Sequence, residues 1–201
     1  MIDVHYIWIG GSEIPSLYLA NYQRCIQLNP SCNFLVWKND ECMKLVEEYG
    51  LMDVFTPLTF ICKFNLIKYI VLHKFGGIYT DFDIEWKVPF GEIANKYNFP
   101  NVDIVLSSTL TPIIDDPFII TKPNIFGGLI NYCKNRTELK YDGELYMETG
   151  KLEIHKSEPF GPFGLTEWIK NMKYTSFPQQ SLLDSNGRYG IHSQKSGWKA
   201  K

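Results

Sequence analysis

Between Thr59 and Trp86 the chain changes from the period of a helix to the period of a strand, and a pair of glycines marks the change. Phe60, Ile61, Phe64, Ile67, Ile70, Val71 and Phe75 recur at helical spacing, which predicts a buried helix over Thr59 to Lys74. Gly76 and Gly77 supply its stop. The run Phe-Gly-Gly-Ile-Tyr-Thr-Asp-Phe-Asp-Ile-Glu-Trp, Phe75 to Trp86, then reads as a tight turn into a strand through Asp81. Residues two apart share one side of a strand, so Asp81 and Asp83 are expected on one face, with Phe82 buried on the other. Adjacent glycines also let a ligand approach the backbone closely.

Two acids so placed suit a hard divalent ion. Mn²⁺ and Mg²⁺ take one or two protein carboxylates and fill the remaining positions with phosphate oxygens and water. An Asp-x-Asp alone is weak evidence, because such pairs are common on solvated strand faces. Its position after a buried helix and a glycine turn gives it weight.

The rest of the chain alternates strands and helices. Val4 to Ile9 and Asn33 to Trp37 read as strands, Ser16 to Leu28 as a helix opening after Pro15, and Asp40 as the cap of a helix through Tyr49. Val102 to Ser107 and Pro117 to Thr121 read as further strands, and Thr166 to Lys173 as a short amphipathic helix. This predicts an α/β fold: a single, mostly parallel sheet flanked by helices, with ligands at the carboxyl ends of the strands. With 201 residues, 45% of them hydrophobic, the chain reads as one domain over 1–201. Asn135 to Ser157 is polar and aperiodic and reads as a loop near an acceptor site.

A net charge of −2 gives no electrostatic footprint for nucleic acid or an anionic membrane. Phosphate binding must therefore be local and metal-assisted. Cys25, Cys32, Cys42, Cys62 and Cys133 form no Cys-x-x-Cys pair and are expected as reduced thiols. No apolar run approaches the roughly 20 residues of a membrane span, since Lys63 and Lys68 interrupt the longest. No integral membrane segment and a cytoplasmic location are the expectations, and Asn135-Arg136-Thr137 is read as an accidental sequon.

Cys62 to Trp86 resembles the sugar-binding region of glycosyltransferase family 32, which carries an Asp-x-Asp motif and is distantly related to the glucosylating clostridial toxins. His5-Tyr6-Ile7-Trp8-Ile9-Gly10-Gly11 is similar to that family's first strand, Glu158 to Thr166 to its Thr-Gly-Pro segment, and His192 to Lys199 to its closing segment. The four segments follow the family's order. The resemblance implies a GT-A type fold and a hexosyltransferase that moves a sugar from a nucleotide diphosphate sugar, a UDP-sugar favoured and a GDP-sugar possible. The implied acceptor is a glycan or glycoprotein, and the implied cofactor Mn²⁺ or Mg²⁺.

The same resemblance assigns roles. Asp81 and Asp83 become the catalytic and metal-holding acids, with His192 completing the metal shell. Trp8 would stack on the base beside Ile9 and Gly10, and Tyr79 would reach a phosphate or the sugar. Ser196, Trp198 and Lys199 would close on the diphosphate, although Gly197 separates the Ser and Trp that the family has adjacent. Asn65 and Lys68 stand where the family has Asp and Arg against the donor, so a different sugar or weaker donor binding is implied. His5 is expected to be structural. An inverting reaction would need a carboxylate base, for which Asp115, Asp116 and Glu158 are the candidates.

Two rivals come from other classes. A haloacid-dehalogenase-type phosphatase also uses Asp-x-Asp, but Tyr79-Thr80 before it and Glu85 after it do not fit. The alternative function is a non-catalytic, degenerate transferase that binds nucleotide or glycan, with Asn65 and Lys68 marking lost chemistry.

Overall fold

Strand β1 (Asp3–Ile7) runs parallel to β2 (Asn33–Trp37) on one side and to β3 (Gly77–Thr80) on the other. The computed structural model describes residues 1–11, 13–108, 114–135, 162–169, 172–178 and 187–193. Beyond β3 lie β6 (Ile114–Thr121), β5 (Ile104–Ser108) and β7 (Tyr174–Pro178), which complete a six-stranded sheet in the order β2-β1-β3-β6-β5-β7. Only β6 opposes its neighbours; β5 and β7 pair in parallel. The mostly parallel sheet expected from the alternation is therefore present, with one antiparallel strand next to the glycine-bounded one.

Side-chain alternation divides the core into two layers. Val4, Tyr6, Ile78, Val105, Phe118 and Ile120 point to the layer shared with α1 (Ser16–Leu28) and α5 (Phe90–Lys96). Ile7, Tyr79, Ile104, Leu106 and Ile119 point to the layer of α2 (Asn39–Glu48), α3 (Met52–Phe55) and α4 (Phe60–Phe75). The sheet is covered on both faces, as parallel strands require. Helix α4 is buried around most of its circumference, from Leu66 through Leu72. Burying each such aliphatic side chain contributes about 1.5–3 kcal/mol. Its outer neighbour is α6 (Gly127–Lys134), while α7 (Pro162–Ile169) packs on β6, and Tyr69, Phe126 and Trp168 stack in a row with centroids 5.6 and 5.1 Å apart.

The glycine pair is explained by the chain itself. Gly76 and Gly77 have φ of 64° and 86°, and a Cβ on Gly77 would lie 2.4 Å from the Asp3 carbonyl oxygen. A Cβ on Gly76 would lie 2.6 Å from the Pro123 nitrogen. The close approach expected of a ligand is made instead by β1 and by the segment after β6.

Element bounds differ from the sequence reading mainly where a strand meets the site. β3 ends at Thr80, and Asp81 to Asp83 form a turn before β4 (Ile84–Trp86), which pairs with β8 (Gly190–His192) in a separate two-stranded sheet. β1 ends at Ile7, which leaves Trp8 just past its carboxyl end. Helix α2 opens one residue before Asp40, and the Glu41 carboxylate accepts the Lys38 N–H at 3.2 Å. The helix expected over Thr166 to Lys173 starts earlier, at Pro162, and ends at Ile169. Most of the aperiodic segment Asn135 to Ser157 lies outside the described residues.

Candidate functional site

The turn that carries the two acids is fixed through its backbone. Asp81 N–H donates to the Pro117 carbonyl at 2.9 Å, Asn21 Nδ2 donates to the Phe82 carbonyl at 3.0 Å, and Ser193 N–H donates to the Asp83 carbonyl at 3.0 Å. Phe82 is 5% exposed and packs on Tyr6, with centroids 4.6 Å apart, and on Tyr22. An anchored turn with a buried central ring brings both flanking carboxylates together, clear of the layer that holds Phe82. Sharing a face therefore comes from the turn, not from strand pleating.

The register of β4 with β8 pairs Ile84 with His192. This brings a third ligand to the two acids: one ligand atom each from Asp81, Asp83 and His192 lie within 4.8 Å of one another. His192 Nε2 is 3.2 Å from Asp83 Oδ1, which is buried and makes no hydrogen bond of normal geometry. Two carboxylates and an imidazole form a donor set suited to Mn²⁺ or a similar divalent ion. The residues present fit the expected metal.

Asp81 is held by its surroundings. The Tyr79 hydroxyl donates to Asp81 Oδ1. Burial pushes the Asp81 carboxyl up to about 7; the Lys68 ammonium opposes this, the Asp83 carboxylate adds to it, and His192 and the Tyr79 hydroxyl oppose it. A nearby cation would reverse the balance in favour of the carboxylate. Burial also raises the Tyr79 phenol well above its ordinary value, so it remains a donor.

Lys68 is not a surface lysine. It is 2% exposed, its Nζ lies 2.7 Å from Asp116 Oδ2 and 3.3 Å from the Asp116 carbonyl, and it sits over the Tyr79 ring at 4.9 Å from the centroid. Asn65, one turn earlier in α4, is 3% exposed. Of the base candidates, Asp116 is thus committed to a lysine, a poor state for abstracting a proton. Asp115 is placed only by its backbone in β6, opposite Ser107. Glu158, Ser196, Trp198 and Lys199 lie outside the described residues.

Trp8, Ile9 and Gly10 follow the carboxyl end of β1, beside the turn that follows β3. Half-buried Trp8 packs edge-on against Phe82 at 5.8 Å and Tyr18 at 6.1 Å. Gly10 N–H donates to Asn39 Oδ1 at 3.1 Å. Ile9 and Gly10 also line a mainly apolar hollow of about 180 Å³ together with Met43, Phe55, Phe60 and Ile67, with Asn39 and Lys63 beside them. His5 is structural, as expected: fully buried, it bonds the Gly76 carbonyl through Nε2 at 2.9 Å and accepts from Trp37 Nε1 at Nδ1.

Three contributors were not legible beforehand. Asn21 sits inside an ordinary amphipathic helix, Pro117 acts through its carbonyl, and Ser193 through its N–H. Backbone groups carry no sequence signature, and a polar residue on α1 gives no hint of what it faces. Only the position of Ser193 next to His192 could have suggested it.

Residues 15–100 match the family described as the glycosyltransferase sugar-binding region containing the DXD motif, which spans the helix, the glycine pair and both acids. The resemblance drawn from the sequence holds over that segment. Among curated proteins, inositol phosphoceramide mannosyltransferase 1 of Schizosaccharomyces pombe is 29% identical over 102 residues, 48% of this chain and 32% of that protein. A mannosyl phosphorylinositol ceramide synthase of Saccharomyces cerevisiae is 29% identical over 75 residues, 36% of this chain and 20% of that protein. The chain thus spans a third or less of the length of these relatives. Among solved structures, the PaToxG glycosyltransferase superposes with a TM-score of 0.51 at 17% identity, covering 84% of this chain and 69% of that one. That neighbour shares the α/β fold, a mostly parallel sheet flanked by helices, which is consistent with the GT-A type.

Proposed function

We propose that this chain is a metal-dependent hexosyltransferase that moves a sugar from a nucleotide diphosphate sugar to a glycan or glycoprotein acceptor. The observation that carries this reading is the convergence of Asp81, Asp83 and His192 beyond the carboxyl end of β3, with both acids inside a sequence region of the glycosyltransferase DXD type. In an open α/β sheet, ligands bind where these strand ends lie.

Asp83 and His192, with Asp81 beside them, would hold Mn²⁺ or Mg²⁺. A bound divalent ion would offset the negative charge that builds on the departing nucleoside diphosphate. Trp8 offers an aromatic face for the base, and Gly10, with φ of 108°, keeps the adjacent backbone free of a side chain. Asn65 is a donor-side candidate by its place in α4.

A UDP-sugar is the favoured donor. One relative is named an inositol phosphoceramide mannosyltransferase and the other a mannosyl phosphorylinositol ceramide synthase, so GDP-mannose and an inositol-phosphate-bearing acceptor belong in the same screen. The first test is calorimetry of UDP, GDP, UDP-glucose and GDP-mannose against the purified chain, with Mn²⁺ or with chelator, repeated for Asp83→Ala. Metal-dependent binding of one nucleotide, lost in the variant, supports the reading. Binding without turnover of any donor would favour the degenerate, non-catalytic alternative, and no binding at all would sink both.

A further inference from the structure

The position that in the resembled family faces the donor is used differently in this chain. Lys68 has its ammonium on the Asp116 carboxylate at 2.7 Å and on the Asp116 carbonyl at 3.3 Å, and it is 2% exposed. A buried cation already neutralised by a partner this close has little left for a diphosphate. What it does touch is the ring of Tyr79, 4.9 Å from Nζ to centroid, and that of Phe64, at 5.6 Å.

Tyr79 in turn is 1% exposed and donates its hydroxyl to Asp81 Oδ1. Residue 117, next to Asp116, accepts the Asp81 N–H at 2.9 Å. The two residues of β6 therefore hold Asp81 twice, once through its backbone and once through Lys68 and Tyr79. A carboxylate with one oxygen held by a fixed hydroxyl has its orientation set and leaves the other oxygen as the better-placed donor to a cation.

We propose that Lys68, Asp116 and Tyr79 are positioning residues for Asp81: they fix its carboxylate so that a single oxygen faces the metal, and Lys68 does not contact the donor. This rests on the metal-centre reading given under the proposed function. It also assigns Tyr79 a task other than reaching a phosphate or sugar. Groups that hold a metal ligand in orientation typically contribute about 10–100-fold to metal affinity.

The test is Mn²⁺ binding to the whole chain, followed by electron paramagnetic resonance without nucleotide, for the parent, Tyr79→Phe and the double variant Lys68→Met/Asp116→Asn. Tyr79→Phe removes one oxygen and keeps the ring under Lys68. The double variant removes both charges together, so neither is left buried alone. The expected result is Mn²⁺ affinity lower by about 10-fold or more in Tyr79→Phe, with an altered spectrum of the bound ion. The double variant shifts the same way, and melting in chelator shows both folded. Unchanged Mn²⁺ affinity in a folded Tyr79→Phe overturns the inference, above all if nucleotide-sugar binding falls instead. Absence of Mn²⁺ binding by the parent overturns the metal-centre reading itself, a separate and recognisable failure.

Discussion

His192 Nε2 and Asp83 Oδ1 stand 3.2 Å apart although 109 positions separate them in the chain, because β8 lies antiparallel to β4 with His192 opposite Ile84. Their contact brings an imidazole to the two acids of the candidate metal centre.

Removing either should empty the centre without unfolding the chain. For Asp83→Ala and for His192→Ala, Mn²⁺ affinity is expected to fall at least as far as the roughly 10–100-fold that loss of a merely supporting group costs. Titration with Mn²⁺ alongside circular dichroism checks this. Parent-like affinity in both variants would remove these residues from the site.

The metal-free protein should lose stability as pH rises from about 4 to about 7. The Asp81 carboxyl is raised from its ordinary 3.8 to about 7, chiefly by burial, so between those values the folded state holds a proton that the unfolded state has released. Stability falls with pH wherever the folded state binds more protons. Below the window both states are protonated, and above it the full penalty of a buried carboxylate is present. Asp81→Asn should flatten the slope in denaturant titrations across this range, and Mn²⁺ should oppose it. An identical slope in Asp81→Asn would assign it to other groups.

Two glycine substitutions should separate steric need from backbone preference. Gly77→Ala puts a methyl 2.4 Å from the Asp3 carbonyl oxygen at φ 86° and should cost at least about 3 kcal/mol. Gly50→Ala, at φ 63° with open space around its Cβ, should cost only the roughly 1–2 kcal/mol of a left-handed alanine. Urea melts of the two variants are the measurement, and equal costs would contradict the packing of β3 against β1.

Asn21→Ala removes the donor that holds the Phe82 carbonyl at 3.0 Å. A stability loss of about 1 kcal/mol is expected, since the bond is only partly buried. Mn²⁺ affinity should drop more than this stability change alone implies, because the carbonyl belongs to the turn between the two ligands. A variant with lower stability and full Mn²⁺ affinity would show that the turn holds without Asn21.

Much of the fold is written in short-range pattern. The helical spacing from Phe60 to Phe75, the stop at Gly76 and the apolar runs of β1, β2 and β6 each express a local preference that agrees with the final structure. The alternation of these elements suffices for a covered, mostly parallel sheet. The acids were legible for the same reason, since they follow a helical run and a glycine pair directly in the sequence.

What pattern could not supply is where strands end and what buried polar groups face. β3 stops at Thr80 because the chain leaves for a second sheet, which depends on a partner strand more than a hundred residues away. Lys68 reads as an interruption in an apolar helix, and only packing against β6 gives it Asp116 and makes its burial tolerable. Sequence by itself determined the helix, the turn, the sheet class and the identity of the acids, because those follow from period and backbone preference within a few residues. The family resemblance alone put His192 with the acids; tertiary structure decided how it reaches them, through the pairing of β4 with β8, and that Lys68 is neutralised, because contacts between distant segments are set by packing and charge pairing that no local pattern encodes.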